Sequence, residues 1–468
     1  MITSPQAPHF HAERTILALG DTMFDPVDAA DFPQTILRFR NDRAAASVGL
    51  DSLSDAAWIA HFGRFQPLAG SLDQPLALRY HGHQFRVYNP NLGDGRGFLF
   101  AQMRDGAGRL MDLGTKGSGQ TPWSRAGDGR LTLKGGVREI LATEMLEALG
   151  VETSKTFSLI ETGESLQRGD EPSPTRSAVM VRLSHGHIRI GSFQRLAALR
   201  DVDGMHRLIA YVLKHYFDDE PGQDGAARLL AHVARRTARL APSYIAAGFV
   251  HGVLNTDNIN VSGESFDYGP WRFTPFYDPA FTAAYFDHQG LYAFGRQAEA
   301  IHWDTVQLAV ALRLVADAEV LVPALEHFGG DYEDGLIDRL LWRLGVKPRE
   351  RAENKALVGA IEGALMAQTV QIDRFFFDWN GGKRRGSSPA EAAYEAEPFA
   401  DFVAAVANFA PARSSDHPYW CGAMPCSMHI EDVESIWAGI AQADDWSALE
   451  AKVSAIRHMG DAMRVDLP

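Results

Sequence analysis

The chain has 468 residues, 46% hydrophobic and 22% charged, ordinary globular values that argue against widespread disorder and point to two or three lobes or domains. With 45 Lys+Arg against 59 Asp+Glu the formal net charge is −14, so a general nucleic-acid binder is disfavoured and any phosphate ligand needs a local Arg/Lys cluster. Two cysteines, Cys421 and Cys426, cannot build a disulfide framework and suit a reducing compartment; a lone C-x4-C is a weak zinc signature and reads more simply as two free thiols in a loop.

The opening stretch MITSPQAPHFHAERTILALGD lacks a basic start followed by a long apolar run, and no segment approaches the roughly 18 apolar residues of a membrane helix. The expectation is a cytoplasmic protein with no membrane partner. Residues 1–77 mix short apolar patches with loops and read as an N-terminal extension packed on the next lobe. From 78 to 200 short apolar runs bounded by glycine clusters predict strands at Phe98–Met103, Leu110–Leu113, Thr156–Ile160 and Ala178–Leu183. Among them, Val137, Ile140, Leu141, Met145, Leu146 and Leu149 recur at helical spacing before Gly150, which predicts an amphipathic helix over 135–149. Residues 201–378 predict helices at 205–217, 227–246 and 303–316, with short strands and turns over 248–295. Residues 378–397, polar and rich in Gly, Ser, Lys and Arg, read as a loop or linker, and 379–468 as a C-terminal helical extension. The fold class expected is therefore α+β and bilobal, a strand-rich N-lobe with one embedded helix and a mainly helical C-lobe, with a cleft between them.

Five segments carry residues suited to chemistry. In Asn91-Leu92-Gly93-Asp94-Gly95-Arg96-Gly97, alternating glycines let backbone approach a bulky anion and Arg96 adds charge, although a glycine-rich hairpin has the same texture. Lys116 ends an apolar strand before the loop Gly117-Ser118-Gly119, where it can serve a phosphate as a point charge or simply be exposed. Glu139 shares a helix with core positions, so it can orient a strand lysine or lie on a solvated face. The turn Ser124-Arg125-Ala126-Gly127-Asp128-Gly129-Arg130 sets arginines beside Asp-Gly, and Arg182 and Arg189 flank Ser184-His185-Gly186-His187; each arginine alone fits a surface ion pair as well as a phosphate. Most specific is His251-Gly252-Val253-Leu254-Asn255-Thr256-Asp257-Asn258 followed by Phe266-Asp267-Tyr268-Gly269. Asp257 can accept a hydroxyl proton, Asn258 and Asp267 offer oxygen ligands to a hard cation, and the gap between them suits a short hairpin. The order of glycine loop, strand lysine, helix glutamate, Asp-Asn loop and Asp-x-Gly is that of protein-kinase-like phosphotransferases. Small-molecule kinases with H-G-x-L-x-x-x-N use an aspartate after the first glycine, where this chain has Val253.

These segments carry a family resemblance. Tyr80-His81-Gly82-His83-Gln84-Phe85, NPNLGDGRG at 89–97, TPWSRAGDGR at 121–130, Arg138-Glu139, HGVLNTDN at 251–258, Asp267-Tyr268-Gly269-Pro270, Tyr277-Asp278-Pro279 and DHQGLYAFGRQ at 287–297 together resemble the selenoprotein O family of kinase-like protein adenylyltransferases, most specifically over 78–310. The resemblance implies ATP bound in reverse relative to ordinary kinases, with AMP passed to Ser, Thr or Tyr hydroxyls of proteins and pyrophosphate released. It implies that Lys116 holds phosphate and pairs with Glu139. Gly93, Gly95, Arg96, Asp128, Gly129, Arg182 and Arg189 would line the nucleotide pocket. Asp257 would be the catalytic base, with Asn258 and Asp267 holding Mg²⁺ or Mn²⁺. Transfer of the γ-phosphate, Mn²⁺-dependent transfer of UMP, and ATP binding without turnover are the alternatives. The chain departs from the family at Arg86, where glycine is usual, and at Tyr88, where tryptophan is usual. The family's C-terminal Asn-Pro…Leu-Arg-Asn segment is not evident, and the tail His458–Pro468 lacks the cysteine or selenocysteine of many members.

Overall fold

Strand-forming sequence is concentrated before residue 185 and helical periodicity after it, and the computed structural model, which describes residues 9–169 and 171–464, divides the same way. Residues 1–8, the beginning of the opening stretch that carries no leader signature, and 465–468, in the cysteine-free tail, lie outside the described residues. The first part holds β1 (His11–Glu13), β2 (Phe24–Pro26), β3 (Ile36–Arg40), α1 (Asp42–Ser47), α2 (Asp55–Phe62), β4 (Leu76–Leu78), β5 (Gly82–Gln84) and β6 (Val87–Asn89). It continues with β7 (Leu99–Arg104), β8 (Leu110–Lys116), β9 (Leu131–Thr132), α3 (Leu133–Ala148), β10 (Lys155–Leu166) and β11 (Thr175–Ser184). The helical part opens with α4 (Ile190–Leu199), α5 (Val202–Tyr216) and α6 (Gly225–Ala247), then the short strands β12 (Phe249–Val250) and β13 (Arg272–Phe273). It is completed by α7 (Gln297–Leu312), α8 (Ala318–Glu326), α9 (Phe328–Leu344), α10 (Arg351–Met366), α11 (Ile372–Asp378), α12 (Glu391–Tyr394), α13 (Ala400–Val406), α14 (Ile430–Ala443) and α15 (Ser447–Met463).

The main sheet has nine strands, in the order β2-β4-β7-β8-β11-β10-β3, with β1 on β7 and β9 on β11. Its central strands are buried on both faces, so they read as continuous apolar runs rather than alternating ones. Side-chain parity still sorts them: Leu113, Val179 and Val181 join Trp58, Phe62 and Phe157 under α1 and α2, while Met180 and Leu159 join Val137 and Ile140 of α3 on the other face. Thr132 caps α3 by accepting the N–H of Gly135 at 3.1 Å. The helix sits so close to the sheet that a Cβ on Gly136 would collide with Leu159. In the helical part α6, 23 residues long, is the hub against which α5, α7, α8 and α9 pack.

Several expectations change in the structure. Residues 1–77 are not only packed on the sheet, since β1, β2, β3 and β4 are strands of it. Segment 378–397 is mostly loop, as expected, with α12 inside it, but it is anchored rather than a linker: Trp379, Asn380, Gly381, Gly382 and Tyr394 are buried, and the Asp378 carboxylate accepts from Ser388 and Tyr394. Arg384 is engaged within the segment, donating to Glu391 at 2.5 Å and lying 4.2 Å from the Tyr394 ring centre. No strand pair closes the gap from Asn258 to Asp267; the pairing is β12 with β13, outside it. The helix expected over 303–316 runs instead from Gln297 to Leu312, because its first turn, Gln297-Ala298-Glu299-Ala300, carries no apolar periodicity to announce it. Among the described residues no helix is long and apolar enough to cross a membrane.

Candidate active site

Lys116 ends β8 opposite Met180 of β11, and α3 crosses behind them carrying Glu139 on its buried side. The lysine ammonium is hydrogen-bonded to Glu139 and lies 3.2 Å from Asp267. Lys116 is 5% exposed and Glu139 2%, so this pair is a core feature and the solvated-face alternative is excluded for both. Arg182, two positions further along β11, places NH1 3.4 Å from the same Asp267 oxygen and donates Nε to His187 at 3.3 Å.

The second half of the site is brought in by a backbone splice. Ile190 N–H bonds Ile259 O and Val261 N–H bonds Ile188 O, so residues 188–190 and 259–261 run side by side. That pairing sets buried Arg189 beside the Asp257 loop. Arg189 NH1 reaches Asp94 at 3.2 Å, its guanidinium lies over Tyr80 and Phe266, and its Nε is buried without a partner. The Asp257 loop is held from behind: Thr256 Oγ1 accepts from His83 N–H and donates to Gln194, while Asn255 Oδ1 accepts from Phe85 N–H and Tyr292. His251 is buried, which lowers its pKa and keeps the ring neutral, so its Nε2 donates to Phe266 O at 3.0 Å and ties the Asp257 loop to the Asp267 loop. Asp267 itself has φ +65°, the left-handed region, where non-glycine residues are uncommon.

The result is one cavity of about 710 Å³, walled by both parts of the chain. Gly93, Gly95, Arg96, Lys116 and Asp128 line it, as do Gly129, Arg182, Arg189, Asp257 and Asp267. Glu139 stands behind Lys116, and Asn258 is half-buried just outside the wall, its Nδ2 donating to Val253 O at 2.9 Å so that its amide oxygen is the free end. Gly93 and Gly97 are required by space: a Cβ at Gly93 would strike the Trp123 ring, and one at Gly97 the carbonyl of Thr115. Asp128 sits at the exposed edge, bound to Arg168 at 2.8 Å, and Arg130 is committed to Glu164. Arg96 and Arg125 line the cavity with no ion pair among the described residues, so they are the cations free for an anionic ligand. Asp94 and Gln84 were not singled out from sequence; Asp94 lies inside the glycine run and pairs with Arg189, while Gln84 donates to Asp257 at 3.3 Å from a short hairpin that no local pattern ties to the Asp257 loop.

The two carboxylates are poised differently. Burial raises the Asp257 carboxyl to about 6, with Arg189 pulling it down and Asp267 pushing it up. Burial also works to raise Asp267, but Lys116, Arg182, Arg189 and Arg96 outweigh it and hold that carboxyl well below the ordinary range. One carboxylate is thus suited to take a proton and the other to stay charged. Asp257 Oδ1 is buried without a partner, and the Asp267 carboxylate and the Asn258 amide oxygen are donors of the hard-oxygen type that suits a Mg²⁺-class ion. Among the described residues no group of three or more His, Cys, Asp or Glu forms a closed metal cage.

A family model described as "Protein adenylyltransferase SelO" matches residues 8–403, well beyond 78–310 on both sides. Curated relatives called "Protein nucleotidyltransferase YdiU" include one from Synechococcus elongatus, 48% identical over 377 residues and covering 79% of this chain and 73% of its own length. Another, from Synechocystis sp., is 49% identical over 342 residues, 71% of this chain and 70% of the relative. One from Synechococcus sp. is 41% identical over 507 residues and covers 98% of this chain and 96% of itself. The chain therefore belongs to the SelO/YdiU family of protein nucleotidyltransferases.

Proposed function

We propose that the interlobe cavity binds ATP in a protein-kinase-like fold and that the chain, a protein adenylyltransferase, moves AMP onto Ser, Thr or Tyr hydroxyls of other proteins. In this reading residues 78–200 are the nucleotide-binding lobe and 201–378 the lobe carrying the Asp257 and Asp267 loops. The observation that carries it is the convergence of Lys116, Asp257 and Asp267 on one cavity that also collects Arg96, Arg182 and Arg189.

Lys116, oriented by Glu139, neutralises phosphate oxygens. Arg182 and Arg189 match them with planar forks, while Gly93, Gly95, Asp128 and Gly129 shape the nucleotide-facing wall. Asp257 accepts the proton of the target hydroxyl as that oxygen attacks the α-phosphorus. The bond to the bridging oxygen breaks, and pyrophosphate leaves among the cations that offset its charge. Asn258 and Asp267 would hold Mg²⁺ or Mn²⁺, which when bound supplies further charge stabilisation to the phosphates. The free thiols Cys421 and Cys426 fit a reducing, cytoplasmic setting, and the acidic surface disfavours nucleic acid as a partner.

The test is incubation of a protein acceptor with ATP labelled at the α- or the γ-phosphate. Label from the α position alone, lost in a folded Asp267→Ala variant, is the expected result. Label from the γ position would make the chain a phosphotransferase. Preference for UTP with Mn²⁺ would reassign the transferred group, and nucleotide binding with no label from any position would leave a scaffold.

A further inference from the structure

Behind the sheet lies a second cavity, of about 1000 Å³. Two strands separate it from the first: Lys116 of β8 and Arg182 of β11 face the candidate active site, whereas Met111 and Leu183 face the rear. The loop after β12 is divided likewise, with Ser262 and Glu264 behind and Asp267 in front.

This rear cavity gathers positive charge in a chain whose net charge is −14. The strand-rich lobe contributes Arg43, Arg104, Arg109 and Lys155. The helical lobe contributes Lys214 from α5 and Arg235, Arg236 and Arg239 from α6, with Arg235 and Arg239 four residues apart on one helix face. Four of the eight are paired: Arg104 with Glu13, Arg109 with Asp105, Lys155 with Glu147, and Arg236 with Glu152 at 3.6 Å. Arg43, Lys214, Arg235 and Arg239 have no ion pair among the described residues. Of the lining acids, Glu147 and Glu152 are already engaged, Glu264 accepts the N–H of His185 at 2.8 Å, and Asp218 is exposed. His215 registers the excess: burial lowers its pKa, and Arg104 and Lys214 lower it further.

Unpaired cations from two lobes facing one another across a cleft repel, and an anion carrying several charges would relieve the repulsion from both sides at once. Guanidinium forks meet phosphate oxygens two at a time, and a polyphosphate offers several forks at once more oxygens and more charge than a single carboxylate can. We propose that the rear interlobe cavity is a second anion site, distinct from the nucleotide cavity, that binds a multivalent phosphate anion bridged between the two lobes. Pyrophosphate is the smallest such anion and the probe for the site. The inference rests on the charge arrangement of this cavity and holds whether or not the front cavity is assigned correctly.

The experiment is calorimetric titration of pyrophosphate into metal-free protein at low salt. The panel is the wild type, Arg235→Ser/Arg239→Ser from the helical lobe, Arg43→Ser from the strand-rich lobe, and Lys116→Met from the front cavity. The three variants are checked for folding by circular dichroism, and the three rear arginines are exposed and lie outside the core. The expected result is a binding event weakened about tenfold or more by the double variant, consistent with two lost charge-assisted contacts, weakened also by Arg43→Ser, and retained in Lys116→Met. Binding that vanishes only in Lys116→Met, or is absent from the wild type, would overturn the site. An unaltered affinity in Arg43→Ser would overturn the bridging, and tighter binding of hexaglutamate than of pyrophosphate would overturn the phosphate assignment.

Discussion

Lys116 and Glu139 are bonded to one another and both are buried. Removing one member leaves the other as an uncompensated buried charge, which costs about 3–5 kcal/mol, more than the pair itself contributes. Lys116→Met is therefore expected to lower urea stability by about that much, and Lys116→Met/Glu139→Gln to recover most of the loss while ATP binding stays impaired in both. Equal destabilisation of the single and double variants would show that packing, not charge, dominates there. Asp257 carries the opposite lesson. Its folded pKa of about 6 lies above the ordinary carboxylate value because burial penalises the charged form. A raised carboxyl pKa contributes stability below the unfolded value of about 4, and that contribution is lost as pH rises through about 6. In chelator-treated protein Asp257→Asn is thus expected to raise the melting temperature at pH 7.5, with a gain of about 1–3 kcal/mol that shrinks towards pH 4. A variant less stable than wild type at pH 7.5 would contradict the desolvation argument.

The hairpin of β5 and β6 turns through Phe85 and Arg86, both with positive φ, 50° and 63°, the mirror-image turn that two-residue hairpins favour. Arg86 occupies a place where the family resemblance expects glycine, and its guanidinium pairs with Glu299 of α7 at 2.8 Å and lies 5.5 Å from the Trp303 ring centre. The left-handed backbone costs about 1 kcal/mol, and an exposed pair returns about 0–1 kcal/mol. Glu299 also holds Arg296 at 3.1 Å, so Arg86→Gly is accordingly expected to change global stability by less than about 1 kcal/mol and to remove only part of the effect of Glu299→Ala, measured as a double-mutant cycle. A loss above about 2 kcal/mol would mean that the arginine anchors the hairpin far more strongly than an exposed pair can. At this scale one also sees what the residue order reveals. Lys116, Glu139 and Asp267 were legible because each sits in a contiguous motif whose strand, helix or loop is announced by local apolar spacing. β1, β2 and β4 were not, since each is three residues long and too short to show alternation. The Asp94–Arg189 contact depends on residues 188–190 pairing with 259–261, a long-range match without a local signature. Segment 378–397 reads as a linker because composition does not reveal that Arg384 stacks on Trp379 and Tyr394 and Arg385 on Phe377 and Trp420.

Across the whole molecule, the C-terminal helices return to the strand-rich lobe rather than trailing from the helical one. Arg457 of α15 binds Glu144 of α3, a carboxylate 4% exposed, and also contacts Asn41. Because α3 carries Glu139 as well, the end of the chain braces the helix that orients Lys116. Arg457→Ala would strand Glu144, and with the arginine partly exposed the expected cost is about 2 kcal/mol, read by urea unfolding. A second clamp joins α14 to the sheet: Asp444 accepts from Trp446 and Arg176 and pairs with Arg38, and the same two arginines hold Glu161 of β10. The Trp446 and Arg176 hydrogen bonds lead in bringing the Asp444 carboxyl down to about 2. For Glu161, burial raises the carboxyl, but Arg176 and Arg38 outweigh it and leave the pKa lowered. A depressed carboxyl pKa gives stability that is present above the unfolded value of about 4 and lost as pH falls through the folded one. Acid is therefore expected to loosen α14 and α15 from the sheet before it unfolds the helical lobe, seen as amide exchange rising in those two helices between about pH 4 and pH 2. Asp444→Asn should show the loosened exchange already at pH 7 and converge on the wild type as pH drops. If the two helices exchange in step with α6 and α9 at every pH, the clamp contributes no separate stability and the lobes unfold as one unit.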